Sequence, residues 1–586
     1  MGDDAVVEPP RRRRWPWVVA GAVLVAVGVV AALFAYDGMR LQSAADGLTA
    51  HAAAARQALE ARDVEALQAE VASLEDAANV FGAATHGPHW WLASHVPWVK
   101  EQARPLIAAG DAVGAVAHDA LEPLAGLEDL DALAGPAFEG GRIDPEMLEP
   151  YRPALEQASG ALDGQVEALA AIDLARTVDQ VREPFEDLEE QLESLAAMVD
   201  GARVTAELLP TMLGGDGPRT YLVVVQNNAE PRTTGGLPGA FLELTVDDGD
   251  MSLGAYDAAR SLVVDDGVAE LTADEERIFS ELMAVYPHDA NFTPEFPRTA
   301  ELLSAFWEHE HGTVVDGVVS VDPVALGWML EGAPALETEG LTITGANLAD
   351  VLLNQAYFLY DDPLDQDQFF VRTARDLFGR IVSGKASPVA GVQRAIDAHR
   401  FLLWSAHGDE EEVLAGTPVS GTFLEEDDAL GVFLNDGSGS KIGYYVETNV
   451  TVVNMMCADG SLASQVLQLD LAHTFGGDVA DLPYYVSGGG VFVPEGQFQA
   501  NVVVYPVVGT EVVSTRLDGE PTEIVADTHD GRAMSQKRVT LDPGESVRLT
   551  YEFAAKKTGL GDPGVVVTPG PRDMPPTVLT EQAAGC

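Results

Sequence analysis

The spacing of apolar residues in the first part of the chain predicts helices. Within residues 41–81, apolar positions alternate at intervals of four and three, the spacing of a helix that packs along one seam. The positions are Leu67, Val71, Leu74, Ala78 and Phe81. Two prolines, Pro88 and Pro97, interrupt the pattern, and further helices are predicted near 99–125 and 152–208. We therefore expect an extracytoplasmic helical stalk or bundle over residues 37–212.

From about residue 213, short apolar runs alternate with helical patterns. RTYLVVV predicts a strand, while GAFLELTV, the turn DDGD and MSLGAY predict a hairpin. TVVDGVVSV predicts another strand, after which Asp322 and Pro323 are a typical N-cap and first residue of a helix. Other helices are predicted at 296–310 and near 346–360, 364–383 and 389–407. This alternation predicts an α/β domain over 213–412.

The remainder of the chain carries only strand patterns. KIGYYVETNVTVV, SQVLQLDLAHTF and FQANVVVYPVV are separated by turns rich in Gly, Asp–Gly and Pro. Short strands at such spacing predict a β-sandwich-like domain over 413–557. Residues 558–586 are rich in Pro and Gly, and we expect them to form a flexible tail.

The N-terminal region predicts a membrane anchor. Four arginines at 11–14 precede a run from Trp15 to Tyr36 that contains no charged residue. As a helix this run is about 33 Å long, enough to cross the apolar core of a bilayer. Its aromatic ends and the basic stub, residues 1–14, predict one transmembrane helix over 15–36 with a cytoplasmic N-terminus. The run is longer than the core of a typical cleaved signal peptide, and no A-x-A site follows it.

The predicted fold class is therefore a multidomain protein of the plasma membrane. It consists of a transmembrane helix, an α-helical stalk, an α/β domain and a C-terminal β-sandwich. The chain carries 34 basic and 93 acidic residues, a formal net charge of −59. Such a charge excludes binding of nucleic acid by the surface as a whole. The two cysteines, Cys457 and Cys586, are candidates for one disulfide, with two free thiols as the alternative.

One stretch stands out as a candidate binding site. QNNAEPRTTGGLPGAF, residues 226–241, lies between two predicted strands and is too rich in polar groups for a short turn. Gly235 and Gly236 allow a ligand to approach the backbone closely. Asn227 and Asn228 suit sugar hydroxyls or a strand end, and Glu230 suits a cation or the neighbouring arginine.

Arginines recur around this stretch although the chain is acidic. A set of them converging on one cleft suits a diphosphate. The set comprises Arg219, Arg232, Arg260, Arg372 and Arg375. The alternative is that each arginine pairs with one of the many carboxylates.

A short acidic run is the candidate metal site. Asp361, Asp362, Asp365 and Asp367 fall within seven residues, and such hard oxygen ligands suit Mg²⁺. The alternative is an exposed acidic turn before a helix, where carboxylates favour the helix N-terminus. No sequence motif of a serine hydrolase, a phosphate-binding loop or a zinc protease is present.

Several segments resemble a family of bacterial single-pass membrane proteins known as a domain of unknown function. The resemblance rests on RTYLVVVQNNAEPRTTGGLPGAF, DANFTPEFP, VDGVVSVDP and NDGSGSKIGYY. It implies an extracytoplasmic protein of the cell envelope and no established activity.

The order of elements from 219 to 375 is also similar to that of the LytR–CpsA–Psr proteins. That resemblance implies transfer of a glycopolymer from a polyprenyl-diphosphate carrier to peptidoglycan, with arginines and Mg²⁺ at the diphosphate. By position, Arg372 or Arg375 matches one functional arginine of those proteins. The chain has no S-[IV]-P-R-D motif, and Arg232 and Arg260 are the alternatives for its arginine.

Two hypotheses about function follow. In the first, the protein binds or transfers a lipid-linked diphosphate glycopolymer, with Arg232, Arg260 and Arg375 acting on the phosphates as in a phosphotransferase. In the second, it is a non-enzymatic envelope scaffold or adhesin that binds glycan or protein through its sandwich. An apolar groove beside Arg232 favours the first hypothesis, and a filled core there favours the second.

Overall fold

The structure, a computed structural model, describes residues 15–60, 64–125, 142–360, 362–386, 388–457, 460–583 and 586. The predicted basic stub, residues 1–14, lies outside the described residues. The chain divides into two compact units. The first consists of Met1–Ala134 and Tyr151–Arg203, and the second of Gly135–Pro150 and Val204–Cys586.

The first unit is helical. Its buried core is rich in alanine, whose small side chain lets neighbouring helices approach closely, and leucine and phenylalanine side chains fill the remaining space. The predicted seam is part of this packing, with Ala78 buried against Val113 and Ala117. The helices are α1 (Trp15–Glu60), α2 (Val64–Thr85), α3 (Pro88–Ala93), α4 (Val99–Ala115), a π-helical turn at Val116–Leu121, α5 (Glu122–Ala125), α6 (Arg152–Ala170) and α7 (Asp179–Met212).

The predicted membrane span falls within α1. No helix in the described part of the chain is both long and apolar enough to cross a lipid bilayer. The side chains of residues 15–28, which make up most of the predicted span, lie outside the described residues. The anchor therefore stays a prediction from the sequence.

The second unit begins with an α/β region built on a five-stranded sheet of order β3-β2-β1-β4-β7. Strands β1 and β4 are parallel, and the other neighbours are antiparallel. The strands of this region are β1 (Arg219–Arg232), β2 (Gly235–Asp247), β3 (Asp250–Ala258), β4 (Gly317–Val321), the small hairpin β5 (Leu336–Thr338) and β6 (Leu341–Ile343), and β7 (Phe401–Ser405). Its helices are α8 (Ala273–Phe279), α9 (Phe296–His311), α10 (Pro323–Met329), α11 (Leu348–Asp350), α12 (Ala356–Leu359), α13 (Pro363–Val382), α14 (Val389–Asp397) and α15 (Gly408–Ala415).

The predicted helix near 389–407 is wrong in its second half. Helix α14 ends at Asp397, and Phe401–Ser405 is instead the edge strand β7, paired with β4. His399 and the residues around it form the turn, with a positive φ of 52° at His399. The apolar run FLLW fits either element by itself, and pairing with β4 selects the strand.

The β-rich region contains two sheets that share one core. Their strand orders are β13-β12-β16-β10-β9-β18 and β14-β15-β11-β8-β17. Its elements are β8 (Ala429–Asp436), β9 (Val446–Met456), β10 (Leu462–His473), α16 (Tyr484–Ser487), β11 (Phe498–Tyr505), β12 (Thr510–Leu517), β13 (Glu520–Pro521), β14 (Val525–His529), β15 (Arg532–Leu541), β16 (Ser546–Ala555), β17 (Gly564–Val567) and β18 (Thr577–Gln582).

Strand β8 is buried on both faces, which explains why its sequence ALGVFL does not alternate. Leu430, Val432 and Leu434 enter the core shared by the two sheets. Phe433 points to the other face, where it packs with Phe423 in a cluster that also contacts Ile278 of the α/β region. The predicted α/β and β domains therefore belong to one compact unit.

The boundary predicted at residue 212 also differs from the structure. Residues 142–150, which we assigned to the stalk, belong to the second unit. The amide of Ile143 donates to the carbonyl of Gly249, 3.2 Å away, in the β2–β3 turn. Helix α7 contributes its last residues to the second unit, where Val204 and Leu208 pack with Leu414.

The expectation of a flexible C-terminal tail is wrong. Residues 564–567 pair in parallel with β8, and residues 577–582 pair in parallel with β9, so the tail supplies one strand to each sheet. A disulfide joins Cys457, just after β9, to Cys586. Pro and Gly content does not prevent pairing, because both strands lie at sheet edges.

The disulfide should govern whether β18 stays paired. All six side chains of β18 are exposed, so backbone pairing and the covalent link hold it in place. We expect Cys586→Ser to lower the hydrogen-exchange protection of amides 577–582 by at least about tenfold. The bond closes a loop of 129 residues, and its loss should lower the free energy of unfolding by about 3–5 kcal/mol.

Strand β17 is the internal control for this experiment, since it belongs to the same tail but lies farther from the disulfide in sequence. Its amides should keep their protection in Cys586→Ser. Full protection of β18 in the variant would show that the bond contributes nothing to pairing.

Candidate functional site

The stretch 226–236, expected to be a loop, is mostly strand. Residues Gln226–Arg232 end β1, Gly235 begins β2, and Thr233 and Thr234 form the turn between them. The pairing shifts between Asn227 and Pro231, leaving Asn228, Ala229 and Glu230 without partners in β2. Such a bulge redirects side chains, and here it turns polar groups into the interior.

The two predicted asparagines hold parts of the fold together. The Asn227 amide donates to the Tyr357 hydroxyl at 2.7 Å. The buried Asn228 amide donates to the Asp322 carboxylate at 3.0 Å and to the Pro569 carbonyl at 3.1 Å. Asp322 also caps α10, as predicted, by accepting from the amide of Ala325. Asn228 therefore ties the bulge to α10 and to the C-terminal segment.

The two predicted glycines are required by the hairpin itself. Gly235 has a φ of 141°, which side-chain-bearing residues rarely adopt. A Cβ on Gly236 would lie 2.2 Å from the backbone of Asn227. The amide of Gly236 donates to the Gln226 side chain at 2.7 Å. Close approach of two strands explains these glycines without a ligand.

Glu230 is buried between two cations. Its Oε1 lies 3.2 Å from Arg232 Nη2, and its Oε2 lies 3.1 Å from Lys441 Nζ. Arg232 also donates from Nε to the His288 carbonyl at 3.0 Å and lies over the Phe292 ring. We call Glu230, Arg232 and Lys441, with Asp289 at 3.6 Å from Arg232, the buried ion cluster. Arg232 is therefore a structural cation of the interior.

The pKa shifts of Glu230 and Lys441 agree with charged partners, whereas burial raises the pKa of Asp289 in the same cluster. Burial opposes ionisation of Glu230, yet Lys441 and Arg232 together lower its pKa. Burial likewise disfavours the Lys441 ammonium, but Glu230 raises its pKa. Nearby, burial lowers the pKa of His288 to about 4, so this imidazole is neutral at pH 7. Both members of the Glu230–Lys441 pair are thus ionised.

Asp436 is the neighbouring carboxyl that takes up a proton instead. Burial raises its pKa to about 7, and the charge of Glu230 acts in the same direction. Its oxygens accept hydrogen bonds from the Ser438 hydroxyl at 2.5 Å and the Gly439 amide at 2.6 Å. When two buried carboxyl groups lie near each other, the charge of the ionised one raises the pKa of the other, so their pKa values move apart.

A cavity of about 300 Å³ adjoins the cluster. Strands β1–β3 form one wall, and α13 and the π-helical turn Val351–Gln355 form another. Most of its surface is apolar. The larger apolar side chains that line it are Leu237, Leu242, Leu326, Leu352, Leu353, Phe370 and Leu377. Its polar lining comprises Gln226, Asn227, Tyr256, Arg260, His288, Tyr357, Gln366, Asp367, Thr373, Lys441 and Tyr485.

Arg260 and Asp367 form the partly exposed ion pair of this cavity. Arg260 Nη1 lies 3.1 Å from Asp367 Oδ1, and a second contact joins Nη2 to Oδ2. The arginine side chain is 46% exposed and that of Asp367 is 23% exposed. Because solvent reaches this pair, an anionic ligand can replace Asp367 on the guanidinium at little cost.

The other predicted arginines do not reach the cavity lining. Arg219 pairs with Glu410 at 2.9 Å and with Asp316 at 3.4 Å. Arg372 contacts Glu339, and Arg375 is exposed on α13. Of the five arginines, the structure brings only Arg260 to the cavity wall. Pairing with carboxylates, the alternative weighed from the sequence, describes Arg219, Arg232, Arg260 and Arg372.

The acidic run before α13 does not assemble a metal site in the described residues. Asp361 lies outside them. Asp362 caps α13 by accepting from the Leu364 amide at 2.9 Å, and Asp365 is exposed. Within the described ranges, no group of three His, Cys, Asp or Glu side chains is placed to hold a metal ion.

Three residues contribute to the site in roles that the sequence does not predict. Lys441 sits in GSGSK, where the spacing differs from a phosphate-binding loop, and we did not assign it a role. Tyr357 lies in a segment that predicts only a helix. Asp367 lies in the acidic run that predicts a metal site. A signal existed in Lys441, since a lysine in an uncharged, strand-rich context is unusual in a chain with so few cations.

Comparison with known proteins adds one match. Residues 216–357 match the family model described as "Protein of unknown function (DUF4012)". This agrees with the expected resemblance to an uncharacterised family. No curated protein and no solved structure matches the chain.

The matched region covers only part of the site. It includes β1–β4, the bulge and the cavity wall as far as Tyr357. The cavity residues of α13, together with Lys441 and Tyr485, lie beyond it.

Removing Arg232 should cost stability. Arg232→Ala would leave Glu230 and Asp289 buried with one cation fewer, and we expect the free energy of unfolding to fall by about 3–5 kcal/mol. Chemical denaturation measures this loss. Arg277→Ala, which breaks an exposed pair with Asp274 and Asp527, is the matched control and should have a much smaller effect. An unchanged stability for Arg232→Ala would contradict the structural role.

Asp436 should make stability depend on pH. Its pKa is about 7 in the folded protein and about 4 in an unfolded chain. The folded state therefore holds the proton in this window, and stability should decrease as pH rises from 4 to 7, by about 1.4 kcal/mol per unit. Denaturation across this range measures the slope for wild type and for Asp436→Asn, and the difference between the two slopes should equal this contribution, because Glu411 and His288 also titrate here and act alike in both proteins. Asp365→Asn, at an exposed position, should keep the wild-type slope.

Proposed function

We propose that the chain is a membrane-anchored, extracytoplasmic protein of the cell envelope that binds a polyprenyl phosphate or diphosphate lipid. The observation that carries this proposal is the apolar cavity with Arg260 and Asp367 at its wall. Its volume is at the lower end of the ~300–1,000 Å³ range of small-molecule sites, so it accommodates part of a long lipid chain.

The charges around the cavity support an amphiphilic anion as the ligand. Leucine and phenylalanine side chains favour the hydrocarbon, and Arg260 is exposed enough to meet a phosphate. Lys441 also lines the cavity, where its ammonium group pairs with Glu230 and lies over the Tyr357 ring. It therefore adds a positive charge near the ligand but is already engaged by these two residues. A membrane anchor over residues 15–36 would hold the protein in the layer where such a lipid resides.

Binding is the proposed activity, in preference to transfer of the glycopolymer. The LytR–CpsA–Psr resemblance implied several arginines and Mg²⁺ at a diphosphate. In the described residues, the cations that line the cavity are Arg260 and Lys441, and each faces a carboxylate. These two cations support recognition of one anionic head group. Peptidoglycan or glycopolymer is then the larger partner in the complex with the bound carrier lipid.

Filling the cavity should remove the lipid. Ala374 lines it from α13, and Ala374→Trp should lower lipid occupancy at least about tenfold by occupying the same space. Asp376→Trp, two residues along the same helix at an exposed position, is the matched control. Native mass spectrometry of the full-length protein in mild detergent measures the bound mass. Arg260→Ala should weaken binding of the phosphate form more than that of the neutral alcohol.

Three outcomes would overturn the proposal. One is a bare protein mass for the folded wild type, which would move the search to a scaffold or adhesin role of the two β sheets. Another is a bound lipid that remains in Ala374→Trp, which would place it elsewhere on the protein. The third is equal loss in both tryptophan variants.

A further inference from the structure

The first unit exposes a group of large apolar side chains on α3 and the turn after it. Trp91 is 64% exposed, Leu92 50%, Val96 39% and Trp98 68%. We call these four residues the tryptophan patch. Single exposed apolar residues are normal on a protein surface, but two exposed tryptophans and two exposed aliphatic residues within eight positions of the chain are typical of a surface that contacts a membrane or another molecule.

The patch lies in an uncharged part of a highly charged chain. From Ala77 to Val99 there is no Asp, Glu, Lys or Arg, although the chain carries 93 acidic residues. The predicted membrane span, Trp15–Tyr36, is likewise free of charged residues. A bilayer surface that repels the acidic remainder of the protein does not repel this segment electrostatically.

Contacts fix the patch beside the end of that span. The Trp90 ring packs edge-on against Phe34 of α1, with 5.0 Å between ring centroids. Trp90 Nε1 donates to the Asp37 carboxylate at 3.2 Å, and His89 Nε2 lies 2.6 Å from the same carboxylate. Asp37 is buried, so these bonds are needed to satisfy its charge. Helix α3 is therefore held at the level of residues 34–37.

The backbone of the turn supports an outward role for Trp98. This residue has a φ of 68°, in the left-handed region that bulky residues rarely occupy. Such a conformation is unfavourable for a residue that carries a side chain. The side chain is mostly exposed, so packing within the first unit does not compensate for this unfavourable backbone conformation.

We infer that the tryptophan patch inserts into the head-group layer of the bilayer that residues 15–36 span. The inference rests on the anchor in the proposed function and adds a second point of membrane contact. Tryptophan favours this layer because its ring is apolar and its N–H can meet polar groups. The end of the predicted span, Tyr36, is within one helical turn of the Phe34–Asp37 contacts, which places α3 at that depth.

Fluorescence quenching by brominated lipid tests the inference in the full-length protein. The protein is reconstituted into phosphatidylcholine vesicles, with or without bromine on the acyl chains, and the difference in emission is the quenchable signal. Trp15, Trp17, Trp91 and Trp98 should all contribute. Trp91→Phe/Trp98→Phe should therefore reduce the quenchable signal by about half, as should Trp15→Phe/Trp17→Phe. Trp404→Phe, in the second unit, should leave it unchanged.

The pattern separates a wrong patch from a wrong anchor. A quenchable signal that depends on Trp15 and Trp17 alone would overturn the patch and keep the anchor, leaving a protein partner as the occupant. The absence of any quenchable signal would overturn both. A phenylalanine at either exposed position keeps the apolar surface, so the variants report depth without removing the contact.

Discussion

The Glu230 carboxylate, buried between Arg232 and Lys441, is the interaction on which the second unit depends. Arg232 belongs to the same hairpin as Glu230, whereas Lys441 follows β8 in the β-rich region. One anion thus joins the two regions that the sequence divides. Each partner is costly to bury alone, and the three charges are tolerated only together. This mutual requirement fixes the position of β1 relative to the segment after β8.

The buried ion cluster also contributes to the cavity through Lys441, which lines it. Lys441 lies over the ring of Tyr357, another lining residue, whose hydroxyl accepts from the Asn227 amide. Helix α13 completes the wall from outside the region that matches the family model. The match to the family model therefore includes the bulge but only part of the cavity wall.

Local chemistry could be read from the sequence, and distant pairing could not. The DDGD turn, the Asp322–Pro323 helix start and the helix Phe296–His311 depend on neighbouring residues, and all three are predictable from the sequence alone. Arg232 fits a phosphate ligand by sequence because two of the groups that hold it in the interior, Asp289 and the His288 carbonyl, lie more than fifty residues along the chain. FLLW was assigned to a helix because only β4 selects it as a strand. The candidate site is the least predictable part, since the residues that line it range along the chain from Val225 to Tyr485.

The two strands of the C-terminal segment, β17 and β18, are synthesised last, so both sheets are completed only at the end of translation. Strands β8 and β9 acquire their parallel neighbours from residues synthesised long afterwards, and Cys457 waits for a cysteine 129 positions later. During that interval both sheets present an unpaired backbone edge that any extended segment can join. At ~5–20 residues per second, the interval lasts from several seconds to about half a minute. A nascent chain of this kind therefore keeps these two sheet edges open to unwanted pairing until its last residues are made.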